Sequence, residues 1–139
     1  MFLSLLYRIA SVLLVLFAFG HTMGFRSTKG MEGADSVVAL MQSVHFTVQG
    51  ARRAYWDFYV GFGLFVTAFL LFAALLSWQL GGASRQTLAQ MPVVTWGLAI
   101  CFVAVTFLSW RYFFVAPAVF SALTTACLLA APWLSARPA

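Results

Sequence analysis

Two histidines, His21 and His45, stand among very few ionisable residues, and imidazole is the side chain whose ordinary titration range brackets neutrality. Near them in the chain lie Gln49, Arg52, Arg53, Trp56, Asp57 and Tyr59. His45, Gln49, Arg52, Trp56, Tyr59 and Gly63 follow one another at steps of 4, 3, 4, 3 and 4, one face of a continuous helix. Asp57 lies four residues after Arg53, the spacing of an intrahelical ion pair, and Tyr55, Trp56, Phe58 and Tyr59 wrap that pair in aromatic surface. Gly61 and Gly63 leave room behind it for a ligand or a neighbouring helix. The chemistry open to such a set is proton transfer by histidine with Asp57 orienting a partner, or capture of an anionic headgroup by the basic groups.

The rest of the chain must place this cluster, and its composition says in what solvent. Of 139 residues 63% are hydrophobic and 8% charged, with a mean hydropathy of +0.96, whereas a soluble domain averages roughly 45–50% apolar and about 25% charged. There is too little polar surface to coat a globule in water, which excludes a soluble enzyme, a disordered tail and a disulfide-stapled secreted domain. Four stretches, 3–25, 56–80, 91–110 and 112–134, reach the about 20 apolar residues that a helix needs to cross a bilayer. The expected fold is therefore all-α, an integral membrane four-helix bundle forming a single membrane domain. The first stretch is read as a retained helix, because its apolar run outlasts a signal peptide and lacks a tight basic n-region ahead of it. Four spans put both termini on one side with Arg8, Arg85 and Arg137, and place Arg26, Lys29, Arg52, Arg53 and Arg111 on the other. That count leaves the orientation open, since several of the arginines could belong to a site.

Every acidic residue, Glu32, Asp35 and Asp57, falls on the second side, as do both histidines. Ionisable groups next to hydrocarbon are paired, snorkelled or functional. The connection that carries most of them, residues 26–55, opens as a polar loop, RSTKGMEGAD. From Ser36 the pattern becomes helical: Val37, Val38, Leu40, Met41, Val44 and Val48 gather on one side, with Gln42, Ser43, Thr47 and Gln49 largely opposite. An amphipathic interfacial helix is expected over 36–49, capped by Asp35 or Ser36 and lying in the interface or over the bundle as a lid. Continued straight to residue 80 it would be about 67 Å long at 1.5 Å per residue, so a bend is expected near Gly50.

The remaining connections are short. The stretch 82–90 predicts an antiparallel hairpin of spans two and three, and Trp110-Arg111-Tyr112 joins spans three and four tightly. Ala118, Ala122, Ala126 and Ala130, and the shorter pair Gly20 and Gly24, are read as close helix-packing positions. Trp78, Trp96, Trp110, Tyr112 and Trp133 lie near span ends, where aromatic belts form. Cys101 and Cys127 differ in depth and are expected as small core residues and not as a disulfide. Two histidines without further ligands at metal spacing make no metal site, and no phosphate loop, Ser-His-Asp set or HExxH occurs. A net charge of +5 suits contact with anionic membrane lipids and does not call for nucleic acid.

At Phe19-Gly20-His21-Thr22-Met23-Gly24-Phe25 and Tyr55-Trp56-Asp57-Phe58-Tyr59-Val60-Gly61-Phe62-Gly63 the chain resembles small four-helix inner-membrane proteins of bacteria. That resemblance spans most of the chain and implies a multi-pass protein of the bacterial inner membrane, with no particular activity. A looser similarity, in helix number and in a polar cluster at one end, is to sterol-isomerase-like four-helix proteins that bind lipophilic amines and sterols. Their acidic catalytic residues have no match by position, so no isomerase activity carries over. The leading expectation is a protein that binds a lipophilic or lipid-like ligand, its polar head meeting His21, His45, Gln49, Arg52, Arg53, Trp56, Asp57 and Tyr59. Two alternatives stand beside it. One is a redox subunit in which His21 and His45 ligate haem or face a quinone; the other is a non-catalytic assembly partner, a homo-oligomer included.

Overall fold

In the computed structural model, residues 2–27 and 32–136 are described; Lys29 and Arg137 lie outside them. Four long helices carry the bundle: α1 (Phe2–Gly24), α3 (Tyr55–Gly82), α5 (Pro92–Tyr112) and α6 (Val115–Ala136), with α2 (Ala34–Ser43), the strands β1 (His45–Val48) and β2 (Ala51–Ala54), and α4 (Arg85–Ala89) between them. Each of the four is long and apolar enough to cross a membrane, within a few residues of the stretches read from hydropathy. The chain is a multi-pass membrane protein of the all-α class.

The bundle is organised around α1, which packs against α3 on one side and α6 on the other, while α5 packs chiefly on α6. Spans two and three, expected as an antiparallel hairpin, make few direct contacts with each other. The linker between them forms α4, started by Ser84, whose Oγ accepts from the Thr87 N–H at 3.1 Å, and α4 leans on α6. Arg85 holds it there by donating to the Leu134 carbonyl at 2.9 Å. The bundle closes at mid-depth where Phe69 of α3 stacks on Phe102 of α5, centroids 5.8 Å apart.

Helices in lipid gain no hydrophobic drive from one another, so small residues and interhelical hydrogen bonds hold them. The α1–α3 seam uses both along its length. Ser4 donates to the Gly81 carbonyl and Ser11 to Ala74 (2.8 Å), Thr22 and Thr67 share a hydroxyl bond (2.9 Å), and the Tyr59 hydroxyl donates to the Phe25 carbonyl (2.6 Å). Between α5 and α6, Thr125 donates to the Phe102 carbonyl at 2.8 Å and bonds Thr106 at 2.9 Å. The packing face of α6 is Ser121, Thr124, Thr125, Leu128, Ala131, Pro132 and Ser135. Ala122 and Ala126 are exposed, so the alanine row does not form the close seam expected of it; hydroxyl residues, able to bond across helices, took the interior face.

The amphipathic segment differs from its expectation in the second half. The helix stops at Ser43, and residues 45–54 form an antiparallel hairpin pairing His45 with Ala54, Phe46 with Arg53, Thr47 with Arg52 and Val48 with Ala51. His45 to Val48 are aromatic or β-branched apart from the histidine, a composition that fits a pleated surface better than a helix. The turn is Gln49-Gly50, both left-handed (φ 49° and 79°), the two-residue geometry whose twist matches that of the strands. Gly50 thus reverses the chain where a helix bend was expected.

Candidate functional site

A cavity of about 500 Å³ opens at the end of the bundle where α1 finishes and α3 and α6 begin. One wall is the face of α1 that carries Leu16, Phe17, Gly20, His21 and Gly24, continued by Phe25, Arg26 and Ser27. Opposite stand Trp56 and Tyr59 of α3, then Phe113, Phe114, Ala116, Pro117 and Phe120 at the α5–α6 turn. The roof is α2, which presents Ala34, Val37, Val38 and Met41. These follow the i, i+3, i+4, i+7 spacing of one helical face, while Leu40 and Val44 of the expected stripe are not in the lining. No residue of α2 is buried, so this helix covers the space and does not fill it.

Local sequence explains why the space exists. A Cβ built on Gly20 or Gly24 meets nothing within 4 Å, so these two glycines are gaps in the α1 wall and not the close helix contacts expected of them. Gly63 is the reverse. A Cβ there would come within 2.6 Å of the Phe25 ring, so α3 supplies the slot for Phe25, the residue that follows α1. Phe25 in turn stacks on His21 (5.1 Å) and meets Tyr59 edge-on (6.1 Å), while Tyr59 stacks on Trp56 at 5.3 Å. The aromatic wall is continuous from α1 to α3.

The polar end is sparse. His21 donates from Nε2–H to the Gly63 carbonyl at 3.0 Å, a carbonyl that also receives the Thr67 hydroxyl at 3.2 Å. The bond fixes the ring between two helices and leaves Nδ1 as its other nitrogen. Arg26 sets its guanidinium over the Phe25 ring, 5.2 Å from the centroid. It is the one charged side chain in the lining among the described residues, and no carboxylate lines it.

The residues singled out by sequence divide accordingly. His21, Trp56 and Tyr59 line the cavity; His45, Gln49, Arg52, Arg53 and Asp57 do not. The hairpin is the reason, because a two-residue period replaces the helical one. His45 and Arg52 share one face of the ribbon and Arg53 takes the other. The His45 Nδ1–H is spent on the Ser43 carbonyl at 2.9 Å, and His45 shares no cavity with His21. Asp57 is not the partner of Arg53: its Oδ2 accepts the Ala54 N–H at 2.8 Å and starts α3, while Arg53 donates to the Arg52 carbonyl at 2.9 Å. The two side chains line a separate shallow recess with Trp56, Val60, Gly61 and Leu64. No group of three His, Cys, Asp or Glu able to hold a metal occurs among the described residues.

Sequence reading missed Phe113, Phe114, Pro117 and Phe120, which it placed in a span without a site, and Arg26, which it left within the general cluster. The signal for the α1 wall was present: Phe17, Gly20, His21 and Gly24 follow at steps of 3, 1 and 3, alternating bulk with gaps on one face. Fold and site together define a class, a four-helix membrane protein with a roofed apolar cavity at one face. Comparison with protein-family models, with curated proteins and with solved structures finds no match.

Proposed function

We propose that this protein binds a lipophilic or lipid-like molecule in the cavity beneath α2, within a bacterial inner membrane. The observation that carries this reading is the roofed cavity itself, about 500 Å³ and walled by Phe, Leu, Val, Met and Trp with His21 and Arg26 at one end. Small-molecule sites are typically about 300–1,000 Å³, mostly apolar, with a few placed polar groups. The membrane setting draws on the four spans and on the resemblance at residues 19–25 and 55–63.

Gly20→Leu tests it. The side chain enters open space on the α1 wall, and replacing glycine in a helix favours folding by roughly 0.5–1 kcal/mol. In phosphatidylcholine nanodiscs, oleyl alcohol and oleate are expected to raise the wild-type melting temperature, while Gly20→Leu melts higher than wild type and no longer responds. A variant that responds as wild type does would remove the cavity from the account.

The exposed Ala122 and Ala126 on α6 support a second reading, an assembly role in which this face docks another helix or a second copy of the chain. Native mass spectrometry from nanodiscs finding monomers alone would count against it.

A further inference from the structure

We infer that the occupant is an amphiphile with an anionic headgroup, a carboxylate or phosphate, held at Arg26. The inference rests on the cavity reading above and adds the sign of the headgroup.

Charge gives the sign. Arg26 is the only charged side chain in the described lining, and its guanidinium is steered by the Phe25 ring that forms part of the same wall. The acidic residues nearby are directed elsewhere. Asp57 is engaged on the Ala54 N–H, and Glu32 and Asp35 are exposed and outside the lining. The carbonyls of Phe25 and Gly63, which would attract a cationic head, already accept from Tyr59 and from His21 and Thr67. Among the described residues, a cation would meet an unopposed arginine and no free anion. An anion would meet a fork of donors suited to carboxylate or phosphate. The first turn of α6 adds to the same sign, since Ala116 and Pro117 bring a helix N-terminus into the lining.

The test compares four probes of equal chain length, oleate, oleyl phosphate, oleyl alcohol and oleylamine, bound to the full-length protein in phosphatidylcholine nanodiscs and counted by native mass spectrometry. Oleate and oleyl phosphate are expected to bind about tenfold more tightly than the other two. Arg26→Ala should erase that preference, and Arg26→Glu should turn it towards oleylamine. Arg26 is exposed at the end of α1, so neither variant threatens the fold, and an unchanged melting temperature without probe verifies this. Equal binding of all four probes to wild type and Arg26→Ala would overturn the headgroup assignment while the cavity reading stands. Displacement of oleate by dioleoylphosphatidylglycerol, with the same dependence on Arg26, would support the headgroup assignment with a membrane phospholipid as its source, and failure of that lipid to compete would support it with a single-chain source. If none of the four binds and Gly20→Leu changes nothing, both readings fall together.

Discussion

Gly63 and Phe25 form one of the closest fits in the molecule, and the cavity's polar end depends on it. The Phe25 ring lies where a Cβ on residue 63 would be, and on that ring rest His21, Tyr59 and the Arg26 guanidinium. Gly63→Ala is therefore expected to cost roughly 1–3 kcal/mol, the range for overpacking a well-filled site, because three ring atoms and not one flexible tip must move. Phe25→Ala, which empties the slot, should make the same substitution far cheaper. Unfolding of the two single variants and the double variant in bicelles gives the coupling, and simple additivity would mean that the ring does not occupy the slot. His21→Leu should be milder, since Thr67 still donates to the Gly63 carbonyl after the imidazole is gone. A loss nearer 1 kcal/mol is expected, that of one hydrogen bond whose acceptor keeps a partner.

At the scale of elements, legibility followed the strength of the periodic signal. The four spans were readable because about 20 consecutive apolar residues leave the backbone no alternative but a helix in lipid. Half of the amphipathic stripe was readable too, and Val37, Val38 and Met41 do face the cavity. The stripe failed at Leu40, which is off the lining, and from Val44 on, where the helix has ended and four residues on either side of Gln49-Gly50 form a ribbon. A short apolar alternation fits both periods, and the deciding signal was the turn, which Gln49 makes less plain than an asparagine would. That one change of element moved His45, Gln49, Arg52 and Arg53 out of the site. Phe46 shows what the ribbon does instead: it packs on Tyr55 (4.8 Å) and Phe58 (5.3 Å), clamping the roof to the start of α3. Gly50 sits at φ 79°, so Gly50→Ala is expected to strain the turn by about 1 kcal/mol, whereas Gln49→Asn, better suited to a left-handed position, should firm it. Amide hydrogen exchange at Phe46 and Arg53 reads this directly. Equal protection in wild type and Gly50→Ala would mean that the ribbon does not form.

Taken whole, the molecule exposes on its flanks the kind of side chain that a water-soluble protein buries. Its interior holds Ser11, Ser77, Thr95, Ser121 and Thr124 among alanines, while Phe65, Phe72, Leu75 and Val93 stand more than 60% exposed on its flanks. In water such a surface would be a fault; in hydrocarbon it is the expected solvent-facing side, and the interior polarity is what joins the helices. The two halves of that statement predict opposite responses to substitution. Inside, not every hydroxyl contributes equally. Ser11 donates to the Ala74 carbonyl, so Ser11→Ala should cost about 0.6 kcal/mol, the average for an interhelical bond in a membrane bundle. Tyr7 and Ser77 are fully buried, and their hydroxyls lack a protein partner among the described residues. Tyr7→Phe and Ser77→Ala should therefore be neutral or stabilising, since removing a buried, unsatisfied polar atom relieves its desolvation. Outside, Phe72→Lys puts a charge at mid-span on a side chain that is 63% exposed. On a soluble protein an exposed phenylalanine gives way to lysine with little effect, within about 0.5 kcal/mol. Facing a bilayer core the same change costs about 3 kcal/mol. Unfolding measured in phosphatidylcholine bilayers separates the two, and a Phe72→Lys variant as stable as wild type would show that the flank of α3 does not meet lipid.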